Sequence, residues 1–138
     1  MTIENNVAMK KNTITYLLAI LFVSGMFSCQ SWETLEVTAT AYNSVEAQTK
    51  KGDPFTAAWG DKLEPGMKAI AVSRDLLHEY GLDYNTKVKI NGLPGTYRVL
   101  DKMNKRWKIR IDIYMGTDIQ KARDWGKQQV EISWIAGN

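Results

Sequence analysis

Two aspartates carry the chemistry this sequence is best equipped to do. Asp101 closes the run Arg98-Val99-Leu100-Asp101, and Asp112 sits eleven residues later inside Arg110-Ile111-Asp112-Ile113-Tyr114-Met115-Gly116. Carboxylates brought together in this way serve general acid–base work, glycosidic bond cleavage included. The second run alternates. Ile109, Ile111, Ile113 and Met115 share one face of an extended chain, and Arg110, Asp112 and Tyr114 share the other. A half-buried strand there aims Asp112 away from the apolar layer, between a cation and an aromatic. That composition suits a carbohydrate cleft, and it also suits a solvated sheet face.

Other chemistries find no support. There is no G-x-G-x-x-G after a strand, no Walker motif and no G-x-S-x-G. The single His78 has no Cys or His at metal-ligand spacing and reads as a surface histidine. No metal or cofactor is expected. The chain carries 18 basic and 15 acidic residues. Lys102, Lys105, Arg106, Lys108 and Arg110 cluster between two expected strands, as on a solvated hairpin rim. The near balance argues against nucleic acid as a partner, leaving at most a modest attraction for anionic wall polymer.

The N-terminus indicates export. Lys10 and Lys11 precede an apolar run from Ile14 to Phe27, which ends at Ser28-Cys29. A basic segment, a short apolar core and a small residue before cysteine describe a signal peptide, and the run is shorter than the ~20 residues a spanning helix needs. Met26-Phe27-Ser28-Cys29 resembles a lipobox. Cys29 is the only cysteine and cannot form an internal disulfide. Thioether lipidation at Cys29 would remove an otherwise reactive thiol. The expected organisation is a signal peptide over 1–28, a lipidated cysteine and tether over 29–34, and one domain over 35–138. Loss of Lys10, Lys11 and Glu4 with the signal leaves 16 basic against 14 acidic residues.

The domain must position the two aspartates with short elements. Alternation predicts strands at 35–42, 68–72, 87–90, 96–101, 109–115 and 130–135. A short helix follows Ser73 as N-cap and closes at Gly81. A second follows a Thr117-x-x-Gln120 capping box and stops at Gly126. In strand parity Arg98 lies opposite to Asp101, and Arg110 lies on the side of Asp112. Residues 43–62 read as loop, with a turn at Lys50-Lys51-Gly52-Asp53-Pro54. Six short strands with irregular connections and two short helices favour a mainly β fold, a small barrel.

In this order the motifs resemble the 3D (three-aspartate) domain family. The likeness rests on Thr38-Ala39-Thr40-Ala41-Tyr42, Thr56-Ala57-Ala58-Trp59-Gly60 with Leu63 and Gly66, and Ala69-Ile70-Ala71-Val72. It continues through the Asp101/Asp112 spacing to Ala122, Trp125-Gly126 and Val130. It implies a six-stranded double-psi β-barrel like the catalytic barrel of membrane-bound lytic transglycosylase A, with rare lipoprotein A, barwin and expansin domains as more distant relatives. Ser73 stands at the family's first aspartate, with Asp75 two residues on. Lys102-Met103-Asn104 stands where the family has a glycine-rich run.

The resemblance implies a peptidoglycan lytic transglycosylase with Asp112 as acid/base, Asp101 beside it, and Ser73 and Asp75 in support. Thr40, Tyr42 and Tyr114 would form the cleft wall, and Trp59 and Trp107 would stack on sugar. The partners would be glycan strands and, through lipid at Cys29, a membrane of the bacterial envelope. An expansin-like module that grips glycan without cutting it, and a structural lipoprotein whose aspartates only satisfy backbone, are the competing readings. Burial and the Asp101 charge would raise the Asp112 pKa while Arg110 would lower it, so the outcome turns on whether Arg110 pairs with Asp112.

Overall fold

The computed structural model describes residues 30–44 and 53–137. The expected signal peptide, Cys29 and Lys50-Lys51-Gly52 lie outside the described residues. Six strands form: β1 (Trp32–Tyr42), β2 (Ala69–Val72), β3 (Lys87–Ile90), β4 (Tyr97–Lys102), β5 (Arg110–Tyr114) and β6 (Gln128–Ile135). Two helices, α1 (Arg74–His78) and α2 (Ile119–Trp125), complete the described elements. The strands close into a barrel in the order β1-β5-β2-β4-β3-β6. β1 pairs with β5, and β2 with β4, in parallel; the other contacts are antiparallel. This mixed, closed arrangement is compatible with a double-psi barrel.

Period-two alternation builds the interior. Val37, Ile70, Val72, Val88, Val99, Ile111, Ile113 and Ile132 point inward and are sealed from solvent to within 2 %. Each such side chain stabilises the fold by roughly 1.5–3 kcal/mol. Branching at Cβ suits these residues to the pleat. Leu76 and Leu77 of α1 and the ring of Trp134 plug this core. A smaller apolar layer lies outside the barrel wall, where Ala57 and Leu63 cover Ala69 and Tyr114. The segment carrying Ala57 and Leu63 folds back through a bridge between Thr56 and Lys62.

Four local expectations need correction. β1 begins at Trp32, because Trp32, Glu33 and Thr34 pair with Ile135, Trp134 and Ser133; the strand absorbs much of the expected tether. β5 begins at Arg110 and not at Ile109, whose φ is +43°. The N-cap of α2 is Asp118, whose carboxylate accepts from the Lys121 N–H at 2.9 Å; Thr117 is not the cap, and Gln120 donates to Asp124 instead. Asp118 wins because a charged acceptor at the cap satisfies an orphan N–H better than a hydroxyl one residue too early. Ser73 occupies the N-cap position of α1, but its hydroxyl accepts from the Arg110 N–H at 3.1 Å and caps nothing in its own helix.

Candidate active site

Asp112 and Asp101 meet on the outer face of the barrel wall, and a β-bulge makes the meeting possible. β2 and β4 run in register through Ile70–Val99 and then slip, so that Ala71 faces Asp101 and Leu100 is passed over. Simple parity would leave Asp101 on the inward face with Tyr97 and Val99. The extra residue turns it outward, beside Arg98 in facing direction and not opposite to it as expected. One row across four strands then reads Thr40, Asp112, Ala71, Asp101. The small Ala71 side chain leaves open space between the carboxylates. Two inter-strand steps place their backbones about 9–10 Å apart.

The hollow above this row is about 200 Å³ and is lined by Tyr42, Ala71, Asp101, Lys102, Met103, Asn104, Trp107 and Asp112. Thr40 donates its hydroxyl to Asp112 Oδ1 at 2.9 Å. A proton on the acid form of Asp112 is therefore best placed on Oδ2. Burial is the main force on this carboxyl, and the Asp101 charge adds to it; the Thr40 hydrogen bond and the Arg110 charge oppose them. The outcome is a carboxyl pushed up to about 6. Near neutral pH such a group both holds and releases a proton.

Arg110 does not seal Asp112. Among the described residues the only ion pair joins Lys62 to Asp53. The Arg110 guanidinium lies on the Trp107 ring, 4.0 Å from its centroid, and Arg106 lies against the same ring at 4.7 Å. Trp107 thus lines the cleft as expected, but its ring already holds two guanidiniums and is not a free stacking platform for sugar. It acts as an anchor that keeps Arg110 off the acid. Trp107→Ala is expected to let Arg110 reach Asp112 and lower its titration midpoint, whereas Arg110→Gln raises it. Carboxyl 13C NMR of Asp112 reads both shifts, and an unmoved midpoint in both variants would remove Arg110 and Trp107 from the account.

Asp101 is engaged differently. Its Oδ1 accepts from the backbone N–H groups of Ala58 and Lys102, each at 2.8 Å, and Tyr42 points its hydroxyl at Oδ2 at 3.5 Å. Asp101 therefore pins the Ala57–Trp59 turn against the barrel. Burial, followed by the charges of Asp101 and Asp112, pushes the Tyr42 phenol far above its ordinary value, so it stays a neutral donor. Asp101→Ala is expected to cost about 2 kcal/mol by freeing two N–H groups, and to loosen the turn. Hydrogen exchange at Ala58 tests it, and unchanged protection there would exclude the pinning role.

Tyr42 lines the hollow, while Thr40 stands behind Asp112, donating to it without lining the hollow itself. Tyr114 does not line it. It has the parity of Asp112, yet its ring is 3 % exposed beneath Ala57 and Leu63, tilted against Tyr42, and its hydroxyl accepts from Ser44 at 2.9 Å. Trp59 does not line the hollow either. Lys102 Nζ lies 4.4 Å from its ring centroid, and Tyr84 packs at 5.4 Å. Ser73 and Asp75 act from below: Asp75 Oδ2 accepts from the Ile109 N–H at 2.8 Å beside the Ser73–Arg110 bond, fixing the start of β5. Lys102, Met103 and Asn104 also line the hollow; sequence reasoning set them only where the resembled family has a glycine-rich run and gave them no role.

Among the described residues no group of three His, Cys, Asp or Glu side chains could hold a metal ion. No protein-family model and no curated protein matches the chain.

Proposed function

We propose that this protein is a cell-wall-acting lytic transglycosylase of the 3D double-psi type, with Asp112 as its single acid/base. The observation that carries the reading is the state of Asp112: lining an open hollow, in no ion pair among the described residues, and raised to about 6. The environment of Asp101 complements it. That carboxylate is committed to two backbone N–H groups. An ordinary glycosidase needs a second carboxylate as nucleophile or water activator. A lytic transglycosylase does not, because the C6 hydroxyl of N-acetylmuramic acid is the nucleophile.

The step balances with one residue. Asp112 gives its proton to the glycosidic oxygen as the C1–O bond breaks. The resulting carboxylate takes the proton of the C6 hydroxyl as its oxygen bonds to C1. The product carries a 1,6-anhydro end, no water is consumed, and Asp112 is again protonated. Thr40 orients the carboxyl throughout, and Tyr42 supplies a neutral donor at the rim. Lipid at Cys29, left once the signal peptide is removed, would hold the barrel at the membrane facing the wall.

The second reading is a glycan-binding barrel without cleavage. The small hollow, walled by Lys102, Met103 and Asn104, is the feature in its favour. Product analysis separates the two. The domain from Gln30 onward is incubated with isolated peptidoglycan and the soluble fraction read by mass spectrometry. Anhydromuropeptides are the expected product. Sedimentation with the polymer and no soluble product would leave the binding module.

A further inference from the structure

A second hollow, about 430 Å³ and twice the size of the first, opens on the other side of the Ala57–Trp59 turn. Its wall includes Asp61, Lys68, Tyr84, Asn85, Arg98 and Leu100. The two hollows share a partition. Leu100 lines one and Asp101 the other. Lys102 of the first lies on Trp59, Trp59 packs on Tyr84 of the second, and Tyr84 donates to Asp61 at 2.9 Å. Tyr84 is nearly half exposed and gives this groove an aromatic floor.

The charge in the groove is unbalanced. Lys68 and Arg98 are neighbours, because the Arg98 N–H donates to the Lys68 carbonyl at 2.9 Å. Neither forms an ion pair among the described residues. Their hydrogen bonds go to neutral oxygens: Arg98 donates to Asn85 Oδ1 at 3.1 Å, and Lys68 Nζ to the Pro94 carbonyl. Gly95 makes the second of these possible, since a Cβ there would collide with the ammonium. Two cations from neighbouring strands' ends are thus held by neutral partners in the wall of a groove that only the Leu100–Asp101 partition separates from the hollow at Asp112.

We infer that this groove binds the carboxylates of the peptide stems carried by the glycan, so that a strand is read on both sides of the Ala57–Trp59 turn. The inference rests on the proposed function and names what that site selects. A stem carboxylate would lie between Lys68 Nζ and the Arg98 fork, which is built for a planar two-oxygen anion. The sugar to which the stem is attached would lie toward Asp112. Cleavage would then favour glycan that still bears its stems over stripped glycan.

The test measures binding in an Asp112→Asn background, where glycosidic bonds stay intact, by sedimentation with the insoluble polymers and, for the soluble stripped strands, by their competition against that sedimentation. The ligands are whole peptidoglycan, peptidoglycan freed of phosphate polymers with hydrofluoric acid, and glycan strands stripped of stems by an amidase. Binding is expected to be equal for the first two and about tenfold weaker for the third, and Lys68→Gln/Arg98→Gln is expected to bind all three at the weaker level. Thermal denaturation of the double variant, expected to match that of its parent, guards against misfolding. Equal binding to stripped and stem-bearing glycan overturns the inference and leaves the glycan reading intact. Loss of binding on hydrofluoric acid treatment also overturns it, by placing the recognised anion on a phosphate polymer. No binding to any of the three would sink the proposed function itself.

Discussion

Asp112→Asn is expected to lower release of anhydromuropeptides roughly a thousandfold, the scale on which a positioned general acid contributes, while making the protein more stable at pH 7. Both effects follow from one environment. The amide cannot donate an acidic proton, but it is isosteric and its oxygen still accepts the Thr40 hydroxyl. It also removes a charge that the folded state disfavours. The folded-state value of Asp112, about 6, lies above the ordinary 3.8, so the folded protein holds this proton more tightly than the unfolded chain. The stability due to that proton is present in full below pH 4, is lost as pH rises toward 6, and is absent above it. At 1.36 kcal/mol per unit the ionised carboxylate costs the wild type about 2–3 kcal/mol at neutral pH. The asparagine variant should recover about 2 kcal/mol of this and show a flat stability profile between pH 4 and 7. Urea titrations across that range read the difference. A variant that still forms anhydro ends would take the acid role from Asp112, and one no more stable than wild type at pH 7 would mean the carboxylate is not strained.

The same environment predicts the pH profile of activity. On the proposed mechanism turnover requires protonated Asp112 and should fall as pH rises through about 6. Trp107 governs where that limb lies, because it holds the Arg110 guanidinium 4.0 Å above its own ring. Rate and stability therefore draw on one feature, a carboxyl partly buried among groups that do not neutralise it.

The barrel was legible because its interior obeys a local rule. Ile111 and Ile113, or Val130, Ile132 and Trp134, alternate with polar residues, and period two needs only the chain itself to appear. Asp112 was legible for the same reason, since it sits between two inward isoleucines on an unbroken strand. Asp101 was only half legible. Its spacing from Asp112 could be read, but the bulge that turns it outward arises from how β2 and β4 slip past each other, and nothing in Val99-Leu100-Asp101 announces a skipped partner. Tyr114 shows the opposite failure. Its parity is right, and a segment some fifty residues upstream covers it. Trp107 reads as a platform because aromatic type is local, while its occupation by Arg106 and Arg110 depends on how the chain returns into β5.

The second large effect is one of stability, and it starts from a residue with no role in the chemistry. Ile109 has φ +43°, a conformation a β-branched side chain adopts only under constraint. The constraint is a clasp from the start of α1. Asp75, 4 % exposed, takes the Ile109 N–H on Oδ2 at 2.8 Å, and the buried Ser73 binds Arg110 twice, with its hydroxyl accepting at 3.1 Å and its N–H donating to the carbonyl at 2.9 Å. Burial alone would raise the Asp75 carboxyl, but hydrogen bonds from the Ser73 hydroxyl and from the Ile109, Asp75 and Leu76 N–H groups outweigh it and hold the carboxyl below its ordinary value. Asp75→Ala leaves the Ile109 N–H buried without an acceptor and removes what holds the backbone in its strained form, at an expected cost of about 3 kcal/mol. Asp75→Asn keeps an acceptor of the same shape and should cost about 1 kcal/mol. The difference between wild type and Asp75→Asn should shrink as pH falls through the ordinary carboxylate range, because a depressed carboxylate stabilises only while ionised. Chemical denaturation at pH 7 and at pH 3 measures each step, with amide exchange at Ile109 and Arg110 as the local readout. If Asp75→Ala unfolds at the wild-type urea concentration, Ile109 is held by the barrel alone. If it does not, the clasp is what delivers Asp112, three residues further along the same strand, to the cleft.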